Sequence, residues 1–283
     1  MPIPKLTESW EDINKGIGKK TVTFDSTRLI NPTEVSKVKV IISKISNLEN
    51  RHSQYLETVD QEFIIQMGSA VSPIDYYIET LLLHIKKDEL CECFIKTSAA
   101  KITFHLEILD IEDVRSLFSL KLKDIFELAQ KYKANGVEIY KKYPKFSEDY
   151  FCRAAKILIS CKPFDQLTEK DDGVDGTELK TFLQNLYNNI AACKIREGKF
   201  DDVLFLTESV EYSVKEASEK AVYRRALALC NLQKYEEGKK LLDTYGTRNS
   251  EMEKLYKKIQ SEWKVSEEKY ASLVRKMFVP VTK

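Results

Sequence analysis

The sequence has no excess of either charge: 45 Lys and Arg oppose 44 Asp and Glu, a formal net charge of +1 over 283 residues. That balance argues against a general nucleic-acid-binding surface and leaves charge-driven binding to local clusters. No stretch approaches ~18 uninterrupted apolar residues, so no membrane span is expected. The opening MPIPKLTESWED lacks an apolar signal core, which gives the expectation of a cytoplasmic protein, with the nucleus as a second compartment. No CxxC pair occurs among the six cysteines. Cys91 and Cys93 could share a strand face and, with partners elsewhere, hold a soft metal, but no histidine lies beside them and buried reduced thiols are the preferred reading. His52, His84 and His105 are isolated, and neither H-E-x-x-H nor G-x-S-x-G occurs, so neither metal-assisted nor nucleophilic catalysis is supported and no cofactor is expected.

What is present is a chain able to fold: 43% hydrophobic and 31% charged residues suit a globular protein and not a disordered one. Its two parts differ in period. Residues 1–112 read as short strands, with β-branched runs at 38–45 and 62–67, a weaker alternation at 91–96, and Ile102, Phe104, Leu106 and Ile108 on one face of a strand at 102–109. One short helix, 74–85, follows Pro73. Strands with a single helix predict a small α+β domain built on an antiparallel sheet. From residue 113 to 283 the apolar period becomes 3.6, with helices expected over 113–142, 147–162, 177–197, 200–213, 217–232, 235–243 and 249–278.

The helical part contains a repeat. LYNNIAACKIREGKFDDVL and AVYRRALALCNLQKYEEGKKL superimpose at an offset of 35 residues, Ala191 on Ala226 and Phe200 on Tyr235. In each copy a small residue lets a second helix approach and an aromatic at the start of that helix fills the groove. A looser copy lies upstream, with Gly136 as its small residue and Phe146 as its aromatic. The pattern resembles the tetratricopeptide repeat (TPR), which implies three helix pairs in a superhelix, closed by a long C-terminal helix ending SEEKYASLVRKMF.

Lys220 and Arg224 sit one turn apart within the apolar helix EKAVYRRALALC, where two cations repel by a few tenths of a kcal/mol. They are either solvated or held for a purpose. Together with Lys133 and Asn189, their positions resemble the two-carboxylate clamp of TPR domains that bind the acidic C-terminal tail of Hsp90, or the similar tail of Hsp70. That family reads K-x-x-G-N, then an Asn before the small pair, then K-x-x-x-R; this sequence has Lys133-Ala134-Asn135-Gly136-Val137, then Asn189, then Lys220 to Arg224. Val137 replaces the first Asn and removes a donor. Arg225 has no role in the clamp and is expected to point outward.

The segment EEKYASLVRKMF is similar to E-K-x-x-Y-x-x-M-F of the large FK506-binding (FKBP) immunophilins. FIIQMG, VSPIDYYIETLLLHIKKDEL and ITFHLEILDI in turn resemble FKBP strands and helix. The resemblance implies an FKBP-like domain over 1–112 and a TPR domain over 113–283. It also implies a defective isomerase. Asp75 or Tyr76 falls where FKBPs carry a floor aromatic, Tyr55-Leu56 stands for an F-D pair, and the loop before the last strand is cut to a few residues. Phe63, Val71 and Phe104 could persist from such a pocket and are equally explained as core. The function implied is a non-catalytic co-chaperone that docks on Hsp90 or Hsp70 and recruits a client, with no direct nucleic-acid or membrane contact. Related inactive immunophilins serve cell-cycle, stress-response or germline small-RNA (piRNA) complexes. The rival readings are a residual prolyl isomerase and a TPR scaffold for a partner without a carboxylate tail.

Overall fold

The computed structural model describes residues 8–24, 29–48, 52–161, 163–212, 214, 217–247 and 249–277. Lys162, Ser213 and Phe278, each inside an expected helix, lie outside the described residues. The chain forms two compact units, 1–180 and 181–283. Among the described residues no helix is long and apolar enough to cross a membrane.

In the first unit six strands, β1 (Ser9–Asp12), β2 (Ile17–Phe24), β3 (Lys37–Ser46), β4 (Glu62–Gln66), β5 (Glu89–Lys96) and β6 (Lys101–Glu112), form one sheet in the order β1-β2-β5-β6-β3-β4. Every pairing is antiparallel. Alternation dictates its faces. Val38, Val40 and Ile42 of β3, Cys91, Cys93 and Ile95 of β5, and Ile102, Phe104, Leu106 and Ile108 of β6 are fully buried. They pack with Ile78, Leu81 and Leu82 of α2 (Pro73–Leu82). Ser72 caps that helix by accepting from Asp75 N at 3.2 Å, and Pro73 occupies its first turn. A short α1 (Gln54–Glu57) precedes β4, so the expectation of a single helix is corrected. The strands β1 and β2 were also not expected. Lys19 stands on the inner face of β2, where its ammonium meets Glu89 at 2.7 Å, and this polar residue breaks the apolar alternation. Between β5 and β6 the chain turns in four residues, closed by Thr97 N to the Ala100 carbonyl at 2.8 Å.

The same unit contains the helix pair α3 (Leu122–Ile139) and α4 (Pro144–Ile159). The first starts nine residues later than periodicity suggested, because Asp113 turns at φ 59° and a 3₁₀ turn, Leu117–Ser119, intervenes. A Cβ on Gly136 would lie 2.6 Å from Phe151 Cε1, so only glycine admits that ring. Phe146 at the start of α4 stacks edge-on against Tyr76 and Tyr77 at 5.2 and 5.4 Å. A brief α5 (Glu169–Asp172) leads to α6 (Gly176–Arg196), whose first turn is capped by Asp175 Oδ1 accepting from Thr177 N at 2.7 Å.

The second unit consists of the rest of α6 with α7 (Phe200–Leu206), α8 (Ser209–Tyr212), α9 (Glu219–Asn231), α10 (Tyr235–Tyr245) and α11 (Ser250–Met277). The repeat's small residues Ala191 and Ala226 are fully buried. Ala191 packs with Val203 and Phe200, and Ala226 with Val222, Leu242 and Ile259. The helix expected over 200–213 breaks at Thr207, whose hydroxyl donates back to the Val203 carbonyl at 2.6 Å.

Candidate functional site

Of the two residues expected where FKBPs carry a floor aromatic, Tyr76 is 4% exposed and Asp75, in the first turn of α2, is 1% exposed. The Asp75 carboxylate accepts from Ser53 Oγ at 2.5 Å, Gln54 N at 3.2 Å and Tyr55 N at 3.4 Å, tying α1 to α2. One turn on, Glu79 is 2% exposed and accepts from Tyr55 Oη at 3.0 Å, Gly68 N at 2.7 Å and Ser69 N at 3.0 Å. Burial pushes the Glu79 carboxyl above its ordinary value, and these hydrogen bonds oppose that shift. The Tyr55 hydroxyl is raised by its own burial and by the Glu79 charge. Two buried carboxylates with satisfied neighbours therefore occupy the seat of α2 on the sheet.

Phe104 lies in the sheet core, fully buried, and Phe63 packs beside Tyr55 at 6.3 Å. Val71 lines an open cleft of 420 Å³ with Ser53, Gln54 and Ser72 on one side and Ile139, Lys142 and Tyr143 of the α3 end on the other. The α3–α4 pair is held against the β4–α2 connection by side chains reaching main-chain carbonyls: Lys131 Nζ to Met67 at 2.9 Å, Asn135 Nδ2 to Gly68 at 2.5 Å and Tyr150 Oη to Ala70 at 2.8 Å. Arg153 donates to Tyr76 Oη at 2.5 Å, and Tyr76 also bonds Asp149.

Of the four clamp candidates, Lys133 lies half-buried on α3 in the first unit. Val137, which stands where the family has Asn, is 57% exposed. In the second unit Asn189 is half-buried on α6, while Lys220 (exposed) and Arg224 (half-buried) lie one turn apart on α9. Arg224 Nη1 donates to Asn188 Oδ1 at 3.2 Å, and Asn188 Nδ2 donates to Ser218 Oγ at 2.9 Å. Asn188, the neighbour of Asn189, is a residue that sequence reasoning missed; its pairing with Asn189 in LYNNIAAC was the available signal.

Arg225 reverses the expectation placed on it. It is 6% exposed, donates to the Leu204 carbonyl at 2.7 Å and pairs with Glu211, joining α9 to α7 and α8. Its burial lowers its basicity from the ordinary arginine value. The period would have placed it inside: it lies three residues after Val222 and four before Leu229, both buried.

Cys91 and Cys93 share the inner face of β5 and are fully buried, and burial pushes the Cys91 thiol up to about 12. His84 stacks on Trp10 with ring centroids 3.7 Å apart. Among the described residues no group of three or more His, Cys, Asp or Glu side chains is placed to hold a metal ion.

Comparison with known proteins matches residues 10–113 to the family model "BDBT FKBP like N-terminal" and residues 121–205 to "Bride of doubletime-like, TPR domain". The protein Bride of doubletime of Drosophila melanogaster is 34% identical over 278 residues, covering 95% of this chain and 97% of that protein. The crystal structure of residues 1–211 of CG17282 is 35% identical with a TM-score of 0.65, covering 70% of this chain and 98% of that one.

Proposed function

Because the chain belongs to the Bride of doubletime family, with its FKBP-like and TPR parts, we propose that it is a non-catalytic adaptor: the FKBP-like part engages a client and the helices engage an acidic tail. The observation that carries this reading is Asp75. FKBP isomerases rest the substrate proline on an aromatic floor. Of the two residues that fall there, Tyr76 is 4% exposed with its hydroxyl shared between Arg153 and Asp149, and Asp75 is 1% exposed with three donors spent on it. A proline ring gains nothing from such a floor, and displacing the carboxylate would strand Ser53 and two main-chain amides. The four-residue β5–β6 turn supports the same reading. The test is a prolyl isomerisation assay on a short proline peptide. The expected outcome is the uncatalysed rate, tens to hundreds of seconds; acceleration that saturates with substrate would contradict it.

The helical half supports tail binding through Lys220, whose ammonium is exposed, and Arg224, which Asn188 orients at 3.2 Å. With Asn189 of the same unit these supply donors for the carboxylates of an Hsp90 or Hsp70 tail, while Lys133, the remaining candidate, belongs to the first unit. The division expected at residue 112 coincides with the end of β6, whereas α3 and α4 belong to the sheet-bearing unit, so the tail-binding role rests on the second unit. The name of the Drosophila relative joins that protein to doubletime, and a counterpart of doubletime is the first client to test. Whether the adaptor serves a cell-cycle, stress-response or small-RNA complex follows from that client. A second reading, a scaffold for a partner without a tail carboxylate, is favoured by Val137, which is 57% exposed and offers no donor. Charge reversal at Lys220 separates the two, because it abolishes tail binding and leaves a tail-independent partner bound.

A further inference from the structure

Neither role uses a cleft of 600 Å³ in the second unit, where the α9–α10 turn meets the solvent-facing stretch of α11. Gln233, at φ 61°, reverses the chain after α9. The turn thereby brings Tyr235, Glu236 and Glu237 of the first turn of α10 to the cleft. From α11 come Trp263, Glu267 and Tyr270, whose spacing of four and three residues puts them on one helix face. Closer to its start α11 buries Met252 and Ile259 fully in the core, but the same stripe continues outward to Tyr270, which is 71% exposed. Three aromatic rings therefore line the cleft with three carboxylates, against one cation, Lys234. None of the three carboxylates is in an ion pair among the described residues.

We infer that this cleft binds an arginine-bearing segment of a partner protein. A guanidinium is weakly hydrated, stacks on aromatic faces and takes carboxylates through paired donors, and this wall offers both kinds of contact side by side. An acidic segment is repelled by the same carboxylates. The site is thus opposite in sign to the cations of α9, and it stands or falls separately from the tail-binding reading.

The test is calorimetric titration of the full chain with a blocked peptide alternating arginine and glycine. Trp263 fluorescence in a Trp10→Phe chain, which retains one of the two tryptophans, gives a second readout. The expected result is saturable binding that weakens about threefold to fivefold in Tyr270→Ala, and also weakens in the Glu236→Gln, Glu237→Gln chain. Glu268→Gln, on an exposed carboxylate of α11 that does not line the cleft, leaves binding unchanged. A lysine peptide of equal charge binds more weakly. The inference is overturned if the native chain shows no saturable heat, if Glu268→Gln weakens binding as much as the cleft variants, or if the lysine peptide binds equally well.

Discussion

The candidate residues of the two units sit in different surroundings, buried carboxylates in the first and exposed or half-buried cations in the second. In the sheet-bearing unit four charged groups are buried beneath a surface of exposed ion pairs: Lys19 and Glu89 pair with side chains 2% and 1% exposed, and Asp75 and Glu79 are spent on main-chain amides and hydroxyls. In the helical unit Lys220 and Tyr270 face water, and half-buried Arg224 donates to Asn188 Oδ1 at 3.2 Å. A buried charge stabilises only while its partners stay, so it has little left to offer a ligand. An exposed or lightly tethered one contributes little to stability and remains available for binding. The lesson is that candidate binding residues should be sought where removal costs least, and the contrast can be tested by substitution.

The largest effect is expected at Lys19. Lys19→Met leaves Glu89 buried without its cation and should cost about 3–5 kcal/mol in urea unfolding, whereas Lys220→Met should stay within about 0.5 kcal/mol. Equal effects would erase the distinction between the units. Neighbouring arginines then sharpen it within one helix. Arg225→Met strands the Leu204 carbonyl, while Glu211, 55% exposed, stays hydrated. The change should cost about 1–2 kcal/mol, whereas Arg224→Met should act mainly on binding. Glycines give a third comparison. Gly136→Ala forces a Cβ 2.6 Å from Phe151 Cε1 and should cost about 2 kcal/mol. Gly238→Ala meets the movable Ile259 Cδ1 at 3.3 Å as its tightest contact and, by helix propensity, should be neutral or stabilising by up to about 1 kcal/mol.

The smallest effect is the pH response of the first unit, in which two buried carboxylates act oppositely. Burial holds the Glu79 carboxyl above its ordinary 4.5, so its unfavourable contribution is absent below 4.5 and develops as pH rises through the folded value. For Glu89, burial alone would raise the carboxyl, but hydrogen bonds from Lys19 and Thr21 outweigh it and hold the group below 4.5. Its stabilisation is present above 4.5 and lost as pH falls through the folded value. Urea midpoints measured across this range should therefore lose their decline above 4.5 in Glu79→Gln and keep their decline on the acid side.

Much of this fold is legible in the sequence because burial and period coincide in it. The β-branched alternation of β3, β4 and β6 marks the sheet, and the 35-residue offset marks the helix pairs around Ala191 and Ala226. What escapes is where a polar residue turns inward. Lys19 hides β2 because its partner, Glu89, is 70 residues away, and a sequence does not announce a pairing at that range. Asp75 could be seen as a missing aromatic, but the donors from Ser53 to Tyr55 that bury it belong to an unexpected helix. Arg225 was legible by period and overruled by its charge. The aromatic wall of Trp263 and Tyr270 was open to the same reasoning, since the stripe of α11 repeats at seven residues from Met252 through Ile259 and from Tyr256 through Trp263 to Tyr270.

The account's central claim, an adaptor whose helices hold an acidic tail, is tested most directly by calorimetric titration of the full chain with an acidic pentapeptide ending in a free Glu-Val-Asp carboxylate. The account predicts saturable binding that is lost when the peptide is C-terminally amidated and when Lys220 and Arg224 are both changed to Glu. No binding to the free-acid peptide, or binding that survives both controls, would contradict it.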